Sequence, residues 1–489
     1  MIAGETLILA ALALPTSGAL AIALAGRRPD LREAATLTTA ALLLFCVAPL
    51  LPMLLAGERP GIVLFAMLPG LPIAFSVEPL GMLFALVAAG LWIVSSLYSI
   101  GYLRGNKEEK QTRFYVCFAL AIAATIGIAF AANVFTLFVF YELLTLLTYP
   151  LVTHHGTDKA RAGGRVYLGL LLGTSVSFLL PALVFTWYVA GTTDFTAGGI
   201  LQGRLSGFAL GGLLALYMFG IGKAALMPFH GWLPAAMVAP TPVSALLHAV
   251  AVVKAGVFSV LKVIIYVFGT ETLASETNSD WLVALAGFTI VAASLLALNA
   301  DNLKRRLAYS TISQLSYIVL AAAILAPLSI IGAALHIATH ALGKITLFCA
   351  AGAIYTAAHK TEVSQLAGIG QRMPWTMAAF TVGALSLIGI PPAAGFLSKW
   401  FIMSGAADAG QYGALAVLII STLLNAAYFL PIIYAAFFRP LSAEDARHPH
   451  GEAPLLMVVA LMLTTTATLS LFLFSAPLLE LVEQLPVAR

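Results

Sequence analysis

The sequence predicts an all-α polytopic membrane protein with 14 transmembrane helices, two inverted five-helix repeats and two broken helices. Three observations lead there. Of 489 residues, 61% are hydrophobic and 9% are charged, against roughly 25% charged in a soluble domain. The apolar runs are about 18–28 residues long and lack strict alternation, which favours spanning helices over a closed barrel. Lys and Arg also cluster in every second loop.

The expected spans are 4–26, 34–57, 78–103, 114–131, 134–152, 164–190, 207–227, 241–267, 281–299, 308–325, 328–356, 375–403, 413–438 and 453–480. Residues 1–113 hold the first three. Residues 62–77 are apolar but interrupted by Pro69 and Pro72, and are expected to lie at the membrane interface. Residues 114–267 hold helices four to eight and residues 281–438 hold helices nine to thirteen, five in each. Residues 453–489 carry the last helix. With the N-terminus outside, 17 Lys and Arg fall in the cytoplasmic loops at 27–32, 104–113, 159–165, 304–306, 360–372 and 439–447. Three fall outside, Arg59, Arg204 and Arg489. By the positive-inside rule this puts both termini on the external side of a cell inner (cytoplasmic) membrane. Glu5 stands where a leader peptide would carry basic residues, so no cleaved leader is expected.

Two spans read as broken. In LYMFGIGKAALMPFHGWLP, Lys223 precedes Pro228; in LSLIGIPPAAGFLSKW, Pro391 and Pro392 precede Lys399. Proline removes a backbone donor and clashes with the preceding turn. Broken helices at membrane depth are tolerated where they line a cavity, and a matching pair in two halves marks an inverted-repeat transporter with a midplane site.

Five lysines and one glutamate lie inside apolar stretches: Glu142, Lys223, Lys254, Lys262, Lys344 and Lys399. A charge at the bilayer centre costs about 2.5–3.5 kcal/mol on the insertion scale, so such residues face protein or water. Glu142 is the one acidic residue expected deep in a span. A nearby ammonium favours the charged carboxylate and burial disfavours it, so a Glu142–Lys223 pair of variable spacing is a proton switch. His248 and Lys254 lie about 240° apart on a regular helix and are expected to face different directions. Lys262 is expected to snorkel to the interface. His336, His340 and Lys344 share one helix stripe about 12 Å long, the pattern of a proton relay. A metal site on the two histidines is disfavoured, since no carboxylate or thiolate joins them. His230, in PFHGWLP, is either a proton entry group or a loop residue. Cys46, Cys117 and Cys349 are far apart and read as buried inert thiols, with neither disulfide nor zinc spacing. No Gly-rich phosphate loop or basic tract points to nucleotide or nucleic acid, and no cofactor is expected.

Several motifs together resemble a known family. These are YELLTLLTYP, GKAALMPFHGWLPAAMVAPTPVSALLHAVAVVKAG, DNLKRRLAYSTISQLSYI, HIATHALGKITLF and GIPPAAGFLSKW, within roughly residues 80–440. The chain resembles the antiporter-like subunits shared by Mrp-type multisubunit cation/proton antiporters, respiratory complex I and membrane-bound hydrogenases. The resemblance implies two inverted five-helix repeats flanked by outer helices. It implies Glu142 and Lys223 in the input half, Lys254 at the central link and Lys399 in the output half. His248, His336, His340 and Lys344 become relay candidates, and Arg165 a weaker match in the sixth span. Length and the 235–256 stretch are closer to the Mrp and hydrogenase side, with the MrpD type above all. Lys399 departs from the glutamate that one complex I subunit uses in its twelfth span. The implied function is proton translocation within a multisubunit Na+/proton antiporter. The alternatives are a proton-pumping subunit of a complex I-like NADH:quinone oxidoreductase or hydrogenase, a subunit of an inorganic-carbon uptake system, and a structural scaffold. The implied partners are protons, Na+ at the level of the complex, other membrane subunits and the bilayer.

Overall fold

The structure, a computed structural model, describes residues 3–276, 279–441 and 451–487. Arg447 and Arg489, both counted for orientation above, lie outside these residues. Eleven helices among the described residues are long and apolar enough to cross a membrane.

The N-terminal part comprises α1 (Gly4–Leu24), α2 (Pro29–Val47), the short α3 (Leu50–Leu55) and α4 (Pro79–Gly105). Between α3 and α4 the structure departs from an all-α fold. Residues expected as an irregular interfacial segment form an antiparallel hairpin, β1 (Gly61–Leu68) and β2 (Leu71–Ser76). The Pro69–Gly70 pair makes the turn, with Gly70 at φ +76°. β1 is exposed along its outer length while β2 is largely buried, and Ala74 N donates to Thr136 Oγ1 (3.0 Å). The hairpin therefore covers the start of the helix that carries Glu142.

The next helices are α5 (Gln111–Ala129), α6 (Val134–Val152) and α7 (Asp158–Thr174), which runs through a π turn at 175–179 into α8 (Leu180–Ala190). Side chains that favour helix starts mark their entry: Asn133 accepts from Thr136 N, and Thr157 from Ala160 N. α9 (Gly207–Gly220) ends where the seventh span was expected to continue to 227. A 3-10 turn at 222–224 and Ala225 in the left-handed region (φ +55°) interrupt it before α10 (Trp232–Ala235). α11 (Thr241–Ala245), a π turn at 246–250, α12 (Val252–Lys262) and a second π turn at 263–268 form one continuous rod. α13 (Thr270–Ala274) follows.

The second half holds α14 (Trp281–Asn299), α15 (Leu303–Ala323), α16 (Pro327–Ala358), α17 (Pro374–Ile388), α18 (Gly395–Asp408) and α19 (Tyr412–Phe438). α17 and α18 are the expected broken twelfth span. Its break covers 389–394, with Gly389 at φ +90°. α20 (Leu455–Leu473) and α21 (Ala476–Val482) close the described chain. Glu452, just before α20, accepts from Trp375 N and Thr376 N and so caps the first half of the broken helix.

Burial separates the helices sharply. The rod 241–268 is 100% buried and α16 94%, whereas α2–α3, α7–α8 and α19 are 33% buried. The two rods that carry most of the ionisable residues are thus hidden from lipid by the other helices. α12 packs on α4, α5, α6, α15 and α16.

Some expectations need correction. Lys304, Arg305 and Arg306 belong to the first turn of α15 rather than to a loop, and Arg306 is buried with its Nη1 bonded to Tyr428 O (3.0 Å). Glu142 is not the one buried acid: Glu33 on α2 is buried and bridged by Arg32 and Arg104. Lys262 does not snorkel. It is buried and paired with Glu78 (3.1 Å), whose carboxylate also caps α4 and accepts from Tyr266 Oη (2.7 Å). The hydropathy of the neighbouring residues could not reveal a partner 184 positions away. Glu78→Gln is expected to destabilise the protein by about 3–5 kcal/mol, the cost of orphaning one partner of a buried pair. Thermal unfolding in detergent measures it, and an unchanged midpoint would mean the pair contributes nothing.

Orientation is measured separately. Reporter fusions within 104–113 should read cytoplasmic and fusions within 271–276 external. The reverse at either place would sink the fourteen-span arrangement.

Candidate functional site

Lys223 sits inside the first break, fully buried. Its Nζ donates to Tyr141 O (2.7 Å) and Thr145 Oγ1 (2.5 Å), and lies 3.2 Å from the centre of the Tyr141 ring. The freed carbonyl of Gly222 accepts from Trp232 Nε1 (2.9 Å), which answers the hydrogen-bond deficit of the broken turn. Gly256 of α12 meets the same turn so closely that a Cβ would collide with the Lys223 carbonyl. The break is thereby pinned against the rod that carries Lys254.

Glu142 lies on α6 between Tyr141 and Thr145, the two residues that hold the Lys223 ammonium. Its carboxylate oxygens are both buried without a hydrogen-bond partner among the described residues, so it makes no direct bond to Lys223. The expected pair is therefore a pair of neighbours sharing one turn of α6, with the ammonium turned to the backbone.

Lys254 Nζ contacts His340 Nδ1. His248 bonds through Nδ1 to Thr311 Oγ1 (3.0 Å) and stacks 4.5 Å from Phe348. The two do point to different partners, one on α16 and one on α15. The regular-helix angle is not the reason, because the π turn at 246–250 and Ala251 (φ −118°, ψ −72°) lie between them.

On α16 the rings of His340 and His336 stack at 5.6 Å. His336 Nδ1 bonds Ser398 Oγ (2.8 Å), its Nε2 meets Gln314 Oε1 (3.1 Å), and its ring stacks on Tyr317 at 5.8 Å. The Tyr317 ring faces Lys399 Nζ at 4.8 Å. Lys399 stands just past the second break and reaches back across it, donating to Ile388 O (3.0 Å) and weakly to Thr422 Oγ1 (3.4 Å). Ile388 is the last residue of α17, and the carbonyl end of a helix favours a cation. Gly389 makes room, since a Cβ there would meet Lys399 Cδ.

Lys344 takes another direction from the one expected. It does not stand between Lys254 and Lys399; its Nζ donates to Leu307 O (3.0 Å) and Ser310 Oγ (2.9 Å) on α15. Ser310 also receives Tyr428 Oη (3.0 Å) from α19. His340 and His336 occupy the place given to Lys344. His230 lies apart, half-buried in the turn after the first break, with Nδ1 unpartnered. Arg165 faces outward on α7, away from this axis.

Sequence reading missed Tyr141, Thr145, Tyr317, Ser398, Gln314 and Tyr428. Hydroxyls and amides carry no hydropathy penalty large enough to stand out. The one signal was density, in the run STISQLSYI of the tenth span, which holds Gln314 and Tyr317.

Fold and site define a class, a helical membrane subunit with a buried ionisable axis running between two broken helices. The chain belongs to the family described as NADH:quinone oxidoreductase/Mrp antiporter, TM, which it matches over residues 131–425. It is similar to NADH-quinone oxidoreductase subunit N of Desulforudis audaxviator (strain MP104C), 34% identical over 404 residues, which cover 79% of each chain. It is also similar to a probable K(+)/H(+) antiporter subunit of Rhizobium meliloti (strain 1021), 32% identical over 408 residues, 80% of this chain and 40% of that one. Its fold matches a chain in the structure of the Mrp complex from Dietzia sp. DQ12-45-1b with a TM-score of 0.87, at 22% identity, covering 99% of this chain and 97% of that one. These relatives are subunits of multisubunit membrane complexes.

Proposed function

We propose that the chain is a proton-translocating subunit of a multisubunit monovalent cation/proton antiporter, with Na+ exchanged by the complex as a whole. The observation that carries this reading is the buried succession Lys254, His340, His336, then Ser398 and Tyr317, to Lys399. Each member can take or pass a proton, or orders one that can, and none is exposed to lipid. Glu142 and Lys223 form the input half, coupled to Lys254 through the contact of the first break with α12. Lys399 forms the output half. There the ammonium is held by the carbonyl end of α17, and release of its proton frees that end of the broken helix. His248 and Lys344 supply a side branch through Thr311 and Ser310 of α15. No residue of the axis is arranged to hold a cofactor.

A second reading, a proton-pumping subunit of a complex I-like assembly, is favoured by the likeness to subunit N across 79% of both chains. Purified complex in proteoliposomes separates the two. Proton uptake driven by an imposed Na+ or K+ gradient supports the antiporter. Proton uptake that requires an electron donor and a quinone supports the second reading. Failure of both would refute proton translocation.

A further inference from the structure

A cleft of about 420 Å³ opens where the loops after α4, α6, α10, α14 and α16 converge, on the face that the charge count places in the cytoplasm. Glu108 is the one carboxylate among its described lining residues. Two imidazoles face it: His155 Nε2 at 3.3 Å from the carboxylate, and His154 Nε2 at 3.9 Å behind. His155 is 38% exposed at the side chain, Glu108 14% and His154 2%, so the three step from solvent into protein.

The other charged groups facing the cleft do not complete an anion site. Lys304 Nζ is bonded to Ala239 O (2.6 Å) and Lys360 Nζ to Gln365 O (2.8 Å). Lys159 and the phenols of Tyr102 and Tyr355 complete the titratable lining. Arg113 approaches from α5 and is bonded to His154 O (2.8 Å). The lysines also keep metal cations away from the single carboxylate. What remains for Glu108 and His155 to bind is a proton.

The floor of the cleft stands at a constant depth above the buried axis. Thr241 to His248, Lys304 to Thr311 and Ala351 to Lys344 are each seven residues along the rod 241–268, α15 and α16 respectively. Seven residues of helix rise about 10 Å. Three helices therefore lead from this cleft to the side branch at His248 and Lys344.

We propose that Glu108 and His155, with His154 behind them, are the site where protons enter this chain, delivering them to His248 and Lys344. This rests on the proton-translocation reading and replaces His230 as the entry. The hydrogen bond to Glu108 raises the pKa of His155, while burial lowers that of His154. As pH rises through its raised value, His155 loses its proton and the site stops collecting.

The test is the initial rate of proton uptake by the complete complex in proteoliposomes, against pH on the cleft side. Glu108→Gln and His155→Gln should each approach the parent rate in acid. Their half-maximal point should move about one pH unit lower, a tenfold rise in the proton concentration needed. Glu108→Asp should keep the parent profile. If Glu108→Gln fails to assemble, the more exposed His155→Gln carries the test. An unchanged profile overturns the proposal, and so does an equal loss at every pH, which marks a structural role. A parent complex that moves no protons removes the underlying reading and the entry site together; a parent that does, with unshifted variants, removes the entry site alone.

Discussion

Lys399→Met is expected to leave almost no proton transport, while Lys399→Glu keeps a measurable part of it. Methionine matches the bulk and is easier to bury, so packing alone predicts the opposite order. The ammonium's partners explain the difference. Ile388 O can only accept, so a glutamate there satisfies it only when protonated. A buried carboxyl in that state can still trade protons with its surroundings. Methionine can neither donate to Ile388 O nor carry a proton onward. The loss for Lys399→Met should be about a hundredfold or more, the usual worth of a positioned acid–base group. Proton uptake by the reconstituted complex measures it. Equal rates for the two variants would take Lys399 out of the path.

Glu142→Gln and Lys223→Ala are each expected to lower proton-coupled transport by about a hundredfold or more while the protein inserts at near-normal levels. The geometry sharpens the second half of that statement. If the two were a buried ion pair, removing one partner would cost about 3–5 kcal/mol and expression would suffer. They are instead neighbours on one turn of α6, with Lys223 bonded to Tyr141 O and Thr145 and Glu142 unpartnered. Neither replacement leaves an orphaned opposite charge. Membrane-fraction immunoblots with vesicle transport read both quantities. Wild-type transport by either variant would refute the role of that residue, and a collapse of expression would point to a structural one.

The positions of the ionisable residues were legible in the sequence because hydropathy makes a charge in an apolar run conspicuous. The two breaks were legible because proline and glycine mark them. Partners were not legible. Lys262 looked interfacial since Glu78, at the far start of α4, gives no local signal. Lys344 looked like the link between halves because its spacing from His340 is helical, yet spacing on one helix cannot say which neighbour each residue meets. The hairpin at 61–76 was hidden by Pro69 and Pro72, which read as interruption and turned out to sit at the turn and in the shorter strand.

The central claim is that protons pass between the halves along His340 and His336. His336→Phe tests it most directly, because phenylalanine can keep the stack between Tyr317 and His340 while removing the proton-carrying nitrogens, and Ser398 retains Thr339 as a partner. The measurement is the initial rate of proton uptake by the fully assembled variant complex in proteoliposomes. A fall of about a hundredfold with normal assembly is the predicted result; a rate close to that of the parent would contradict it.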